Sequence, residues 1–180
     1  GVDRQDWGST WAQRPLLFRN LKGARFEAVP PRTGSGLAVV IPGRGAAFGD
    51  LDNDGHVDVV INNIEAPPTL LRNVTKHANH WLMLRLVGGA GSPRDAVGST
   101  VYLTAGGMRQ RGDVISGGSY SSSSDLRLHF GLGTATSVEK LEIRWPSGKK
   151  ETVAIPGADR ILTIVEGKGV QESPSGEGKK

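Results

Sequence analysis

The 180-residue sequence predicts an all-β protein. Its 26 glycines and 10 prolines favour turns and short strands over long helices. From residue 79 onward, about seven apolar or alternating segments recur at spacings of roughly 8–15 residues. No long stretch has the 3.6-residue period of an amphipathic helix. This spacing is typical of an antiparallel β-sandwich or barrel.

The first functional candidate is an acidic segment ahead of an apolar, β-branched run. Its carboxylates, Asp50, Asp52, Asp54 and Asp58, fall at positions 1, 3, 5 and 9 of a nine-residue window. Such carboxylates repel one another unless a cation lies among their oxygens. Gly55 supplies the backbone freedom for a sharp bend. The pattern therefore predicts a metal-binding loop.

The ligand chemistry of this loop favours Ca²⁺, which prefers hard oxygen ligands. We predict Asp50, Asp52, Asp54, His56 (through its carbonyl) and Asp58 as the ligands. An EF-hand would place a Glu at position 12 and continue into a helix, whereas Ile61 stands there inside a predicted strand. The alternative is a metal-free hairpin turn rich in Asp, Asn and Gly.

The flanks of the loop carry a family resemblance. Residues 45–50 (GAAFGD), the acidic loop and residues 58–63 (DVVINN) together resemble an FG-GAP (VCBS-type) blade motif. That resemblance implies a partial β-propeller blade in residues 1–78, with calcium between neighbouring strands. Residues 15–20 (PLLFRN) recur about 53 positions later as PTLLRN, a separation typical of propeller repeats. We expect the remaining blades to lie N-terminal to this chain.

Residues 79–166 are predicted to form a series of short strands. They are expected at residues 81–87, 97–104, 108–115, 126–130, 138–145, 152–155 and 161–166. The Ser/Gly-rich stretch at 116–124 is expected to be a surface loop, with no role assigned to it. Residues 167–180 are rich in Gly, Ser, Glu and Lys, which predicts a disordered tail.

Four motifs in this part carry a second resemblance. NHWL at 79–82, RDAVG at 94–98, LHFGLG at 128–133 and RWPSG at 144–148 together resemble the ASPIC/UnbV domain, over about residues 79–166. That domain follows FG-GAP repeats in many secreted bacterial proteins and in an animal cartilage protein. The resemblance implies a secreted, extracellular or periplasmic protein. It supplies no catalytic residues.

Composition and charge exclude several classes of function. The net charge is +4, and four of the basic residues lie near or in the tail, namely Lys149, Lys150, Lys179 and Lys180. The remaining arginines are scattered singly along the sequence rather than clustered with aromatic residues, so we expect no nucleic-acid partner. No apolar run approaches the ~20 residues of a membrane span. The absence of cysteine excludes disulfides, thiol catalysis and Cys-type zinc sites.

Isolated side chains of catalytic or binding type have structural interpretations. His77 and His80 lack a third metal ligand at a recognisable spacing, and His129 is expected to make a structural hydrogen bond. Trp145 is expected to be a core aromatic rather than a sugar-stacking platform. The serine run at 119–124 lacks a nucleophile elbow.

These observations favour a non-catalytic, calcium-binding extracellular interaction or adhesion module with a protein or glycan ligand. The alternative is a domain of a secreted hydrolase or glycan-binding enzyme, with its site at the junction of blade and sandwich. A third hypothesis is a structural cap that closes a propeller.

Overall fold

A computed structural model describes residues 11–21, 23–32 and 35–171. Their regular structure is β, apart from one 3-10 turn at Gly36–Ala38, so the all-β prediction is confirmed. The chain divides into two compact units. Unit 1 comprises Gly1–Phe48, Asp58–Asn73 and Gly118–Ser123, and unit 2 comprises Gly49–Val57, Val74–Gly117 and Ser124–Lys180. No helix in the described ranges is long and apolar enough to cross a membrane.

Unit 1 holds two small sheets. The first is the antiparallel hairpin of β1 (Phe18–Leu21) and β2 (Arg25–Ala28). The second contains β3 (Gly43–Gly49), β4 (Asp58–Asn63) and β5 (Thr69–Leu71) in that order. The first copy of the repeated motif overlaps β1 and the second overlaps β5. A strand–loop–strand unit is therefore present, while its membership of a propeller stays a prediction.

Unit 2 holds two four-stranded sheets. Its strands are β6 (His80–Val87), β7 (Thr100–Ala105), β8 (Met108–Asp113), β9 (Leu128–Gly133), β10 (Lys140–Arg144), β11 (Lys150–Thr152), β12 (Arg160–Val165) and β13 (Gly169–Gln171). One sheet has the order β11-β10-β7-β8, and the other has the order β13-β12-β6-β9. Each predicted strand of this part therefore has a counterpart, with ends shifted by a few residues.

The core of unit 2 lies between these sheets. Leu82 and Leu84 of β6 join Leu103 of β7 and Leu141 of β10 in one cluster, each fully buried. In β7 the inward Val101, Leu103 and Ala105 alternate with Thr100, Tyr102 and Thr104, as a half-buried strand requires. The described strands form an open sandwich, and apolar burial of this kind is its main stabilising term.

Two features of unit 2 differ from the sequence-based expectations. Strand β12 pairs with β6 in parallel, within an otherwise antiparallel arrangement. Parallel neighbours require a long crossover, which the five intervening strands β7 to β11 provide. The disordered tail predicted from Gly167 is wrong for Gly169–Gln171, which pair with β12 while Val170 packs against the core. Residues 172–180 lie outside the described residues.

Candidate metal site

The acidic loop joins β3 to β4 and folds around Asp50. This side chain is only 2 % exposed. Its Oδ1 accepts the N–H of Asp54 at 3.1 Å, and its Oδ2 accepts the N–H of Gly55 at 2.8 Å. Gly55 has φ of +89°, a left-handed conformation that glycine adopts without a steric cost. The Asp50 carboxylate therefore fixes the bend that the sequence predicts at Gly55.

Three carboxylates of the loop converge. Ligand oxygens of Asp50, Asp52 and Asp58 all lie within 4.8 Å of one another. Asp50 and Asp58 are buried, whereas Asp52 is exposed. Asp58 also accepts the N–H of Asn73 at 2.8 Å. An ionised carboxylate offers about four lone-pair sites, so the two backbone bonds of Asp50 leave acceptor capacity for a cation.

Asp54 and His56 occupy different positions from that triad. The Oδ1 of Asp54 accepts the backbone N–H of His56 at 2.8 Å. The Nδ1 of His56 lies 3.1 Å from the same oxygen, without hydrogen-bond geometry. The His56 ring meets the His77 ring edge to face, with 5.0 Å between centroids. Asp54 and the carbonyl of His56 stay predicted ligands.

Arg127 supports the loop, a role that the sequence does not predict. Its Nη1 donates to Oδ1 of Asn53 at 2.6 Å, and its Nη2 donates to the carbonyl of Asp50 at 2.9 Å. Its Nε donates to Oδ2 of Asp125 at 2.6 Å, which orients the guanidinium. Asn53 itself has φ of +60°. The planar guanidinium, with its donors in fixed directions, thus restrains the loop at both Asp50 and Asn53.

Trp81 and His129 hold the loop at Gly55. The Nε2 of His129 donates to the carbonyl of Gly55 at 2.9 Å, so the structural hydrogen bond predicted for His129 is confirmed. The rings of His129 and Trp81 are stacked, with centroids 6.1 Å apart. A Cβ placed on Gly55 would lie 2.1 Å from the Trp81 ring. Glycine is therefore required there by contact as well as by φ.

Comparisons with known proteins match part of this chain. Residues 89–171 match the family model for ASPIC and UnbV. The predicted ASPIC/UnbV resemblance is confirmed for that segment, and we refer to it as the ASPIC/UnbV segment. A stretch of 111 residues is 30 % identical to cartilage acidic protein 1 of Xenopus tropicalis and covers 59 % of this chain. The chain spans 17 % of that relative's length.

Both Arg127 and His129 belong to the ASPIC/UnbV segment, so this segment supplies contacts to the acidic loop. Residues 126–130 alternate between apolar and polar types, so the sequence predicts that the His129 side chain points away from Leu128 and Phe130. No sequence signal links Arg127 to Asn53, because 74 residues separate them.

The other candidate side chains have structural partners. Nδ1 of His80 pairs with Asp159 at 2.6 Å, and Nδ1 of His77 accepts the N–H of Asn79 at 3.2 Å. The hydrogen bond from His80 lowers the pKa of Asp159. Trp145 is 3 % exposed, which confirms the core aromatic prediction. Its indole N–H donates to Glu151 within the ASPIC/UnbV segment, at 3.0 Å.

The residues that line one pocket in unit 1 include no Asp, Glu or His. They are Gln13, Arg14, Pro15, Ile41, Gly43, Arg44, Gly45, Ala46, Ile61 and Ser119. Ser119 comes from the loop at 116–124, and its Oγ accepts the N–H of Ala46 at 3.0 Å. A Cβ on Gly45 would lie 1.8 Å from the carbonyl oxygen of Tyr120. Part of the serine-rich loop therefore packs closely on β3.

Proposed function

We propose that the chain is a non-catalytic, calcium-binding extracellular interaction module. One Ca²⁺ binds among the carboxylates of the acidic loop and fixes its conformation. The observation that carries this proposal is the convergence of the Asp50, Asp52 and Asp58 oxygens within 4.8 Å. The predicted ligands Asp54 and the His56 carbonyl complete an all-oxygen set.

Electrostatics gives the physical reason for a cation. Two like charges at this separation repel by roughly 3 kcal/mol at an effective dielectric constant of about 20. Asp50 and Asp58 are both buried, so water screens their repulsion poorly. A divalent ion reverses the sign of this interaction. Backbone N–H groups also bond to Asp50 and Asp58.

The ligand set favours calcium over other divalent ions. Ca²⁺ accepts six to eight oxygens in flexible geometry, whereas Mg²⁺ demands a tighter octahedron and retains its waters. Zinc and copper prefer imidazole or sulfur, which the convergent triad lacks. Extracellular calcium modules have dissociation constants of about 10⁻⁴–10⁻³ M.

The comparisons support an extracellular position. The ASPIC/UnbV match and a relative named for cartilage both fit a secreted protein with a protein or glycan ligand. We infer that the chain is part of a longer protein that carries FG-GAP blades. The order β3-β4-β5 around the acidic loop supports that inference.

Thermal unfolding with and without calcium tests the proposal. At calcium 100-fold above the dissociation constant, binding stabilises the folded state by about 2.7 kcal/mol. The melting temperature should therefore fall when a chelator removes the calcium. Asp52→Asn should abolish this sensitivity, because Asp52 lies in the triad.

Asp95→Asn is the matched control. Asp95 is an exposed residue of unit 2 that pairs with Arg94, and its variant should keep the full response to calcium. Superimposed melts of the unmodified protein with calcium and with chelator would contradict the proposal.

A further inference from the structure

One face of the sheet β11-β10-β7-β8 points away from the core of unit 2. Val101 and Leu103 of β7 are buried in that core, so Tyr102 lies on the opposite face. Residues paired across neighbouring strands share a face. Arg111 of β8 and Glu142 of β10 are both in register with Tyr102 and therefore lie beside it.

Basic side chains dominate this face. The same register places five basic and two acidic residues on it, namely Arg109, Arg111, Lys140, Arg144 and Lys150 with Asp113 and Glu142. We call this set the basic face. Its excess of three positive charges is most of the chain's net +4. Strand pairing therefore gathers on one face basic residues that are distant from one another in the sequence.

Tyr102 organises two of the guanidinium groups. The Cζ of Arg109 lies 4.2 Å from the centre of the Tyr102 ring, and the Cζ of Arg144 lies 5.1 Å from it. Cation–π contacts of this kind restrict the rotamers of both arginines. Less conformational entropy is then lost when the guanidinium N–H groups bind an anion.

The acidic residues of the face neutralise only part of its charge. Asp113 pairs with Arg111 at 2.9 Å, while Glu142 pairs with Lys140 at 3.0 Å and more distantly with Arg109 at 3.9 Å. Arg144 and Lys150 are exposed neighbours in register. In the part of the chain that the structure describes, neither has an acidic side chain within ion-pair distance.

We propose that the basic face binds a linear sulfated polysaccharide, whose sulfate groups accept hydrogen bonds from Arg144, Lys150 and Arg109. A guanidinium donates two parallel N–H groups to such an oxyanion. This inference rests on the proposed function, since it names the class of glycan that an extracellular module would meet. It does not depend on calcium in the loop.

The chemistry of the face favours a polysaccharide over a protein or a nucleic acid. The core of a protein interface is depleted in charge and enriched in apolar anchors, whereas this face is charged and open to water. Single-stranded nucleic acid binds by stacking bases on free aromatic faces. The only aromatic residue in this register is Tyr102, and guanidinium groups already cover its ring. A hydrated chain of dense negative charge matches the surface best.

Binding of a heparin octasaccharide to the full chain tests the proposal, measured by fluorescence anisotropy at about 0.15 M salt. Arg144→Ala with Lys150→Ala should weaken binding at least about tenfold and flatten its salt dependence. Arg144→Lys keeps the charge but loses the planar fork, so it should give an intermediate loss. A control that removes two positive charges elsewhere in unit 2, Arg94→Ala with Lys168→Ala, should change binding less than about twofold.

Binding of three other ligands is compared with that of heparin to establish the class of partner. An unsulfated hyaluronan octasaccharide, an octanucleotide of single-stranded DNA and an octaglutamate peptide should each bind more weakly than heparin. The proposal is overturned if any of them binds as tightly, if the two double variants lose equal affinity, or if Arg144→Ala with Lys150→Ala binds like the unmodified protein. Calcium-dependent melting of the same double variant should be unchanged, so failure here is distinguishable from failure of the calcium proposal.

Discussion

The Nε2 of His129 donates a hydrogen bond to the carbonyl of Gly55 at 2.9 Å, across 74 residues of sequence. Because a carbonyl can only accept, Nε2 carries the hydrogen of this bond. The bond connects the acidic loop to strand β9 of unit 2. The conformation of the loop therefore depends on a sandwich strand as well as on its own Asp50.

Replacing Gly55 by alanine should destabilise the fold strongly. A left-handed φ costs an ordinary residue about 1–2 kcal/mol, and the added Cβ would also meet the Trp81 ring at 2.1 Å. We expect a loss of more than about 2 kcal/mol in urea unfolding. Gly107 is the matched control, since it has φ of +72° but nothing within 4 Å of its Cβ. Equal losses for Gly55→Ala and Gly107→Ala would contradict the close packing of the loop on Trp81.

Removing the Arg127 side chain should weaken calcium binding. The guanidinium donates hydrogen bonds to Asn53 and to the Asp50 carbonyl and so orders the loop before calcium binds. In Arg127→Ala, the free-energy cost of ordering the loop is subtracted from that of calcium binding. We expect an affinity about tenfold lower, which corresponds to about 1.4 kcal/mol. Arg94→Ala removes the same charge from an exposed position in unit 2 and should bind calcium normally. An unchanged calcium affinity in Arg127→Ala would contradict this prediction, because the loop would then be ordered without the guanidinium.

Glu166 should contribute to stability at neutral pH and lose that contribution in acid. Hydrogen bonds from the Ser147 hydroxyl, from Ser92 and from the Gly89 N–H lower the pKa of Glu166 below its usual value of 4.5. The folded state therefore binds its proton less readily than the unfolded state does. The contribution is complete above pH 4.5 and disappears as the pH falls through the lowered pKa.

Urea unfolding between about pH 7 and pH 3 measures this effect. Glu166→Gln should be less stable than the unmodified protein at neutral pH, and the difference should narrow as the pH falls. A difference that stays constant over this range would contradict the lowered pKa of Glu166.

The sequence predicts those features that depend on local patterns. Alternation of apolar and polar residues at 126–130 predicts β9, and the spacing of Asp50, Asp52 and Asp58 predicts a cluster that the structure brings together. Turn chemistry likewise predicts the bend at Gly55.

Features that depend on pairing between distant segments could not be predicted from local sequence patterns. The contact of Arg127 with Asn53 and the parallel pairing of β6 with β12 join segments more than 70 residues apart. The basic face arises only when β8, β10 and β11 assemble around Tyr102. Gly169–Gln171 form a strand although their composition favours disorder, because β12 offers an edge with unpaired backbone groups.

The central claim is that the acidic loop binds one Ca²⁺, and an NMR titration with calcium tests it most directly. The backbone amides of Asp54, Gly55 and His56 should shift to saturation, with one ion per chain and a dissociation constant of about 10⁻⁴–10⁻³ M. Asp58→Asn should remove these shifts, Asp113→Asn should retain them, and magnesium should not reproduce them. Amides that stay in place at about 10 mM calcium, or that shift equally in Asp58→Asn, would contradict the account.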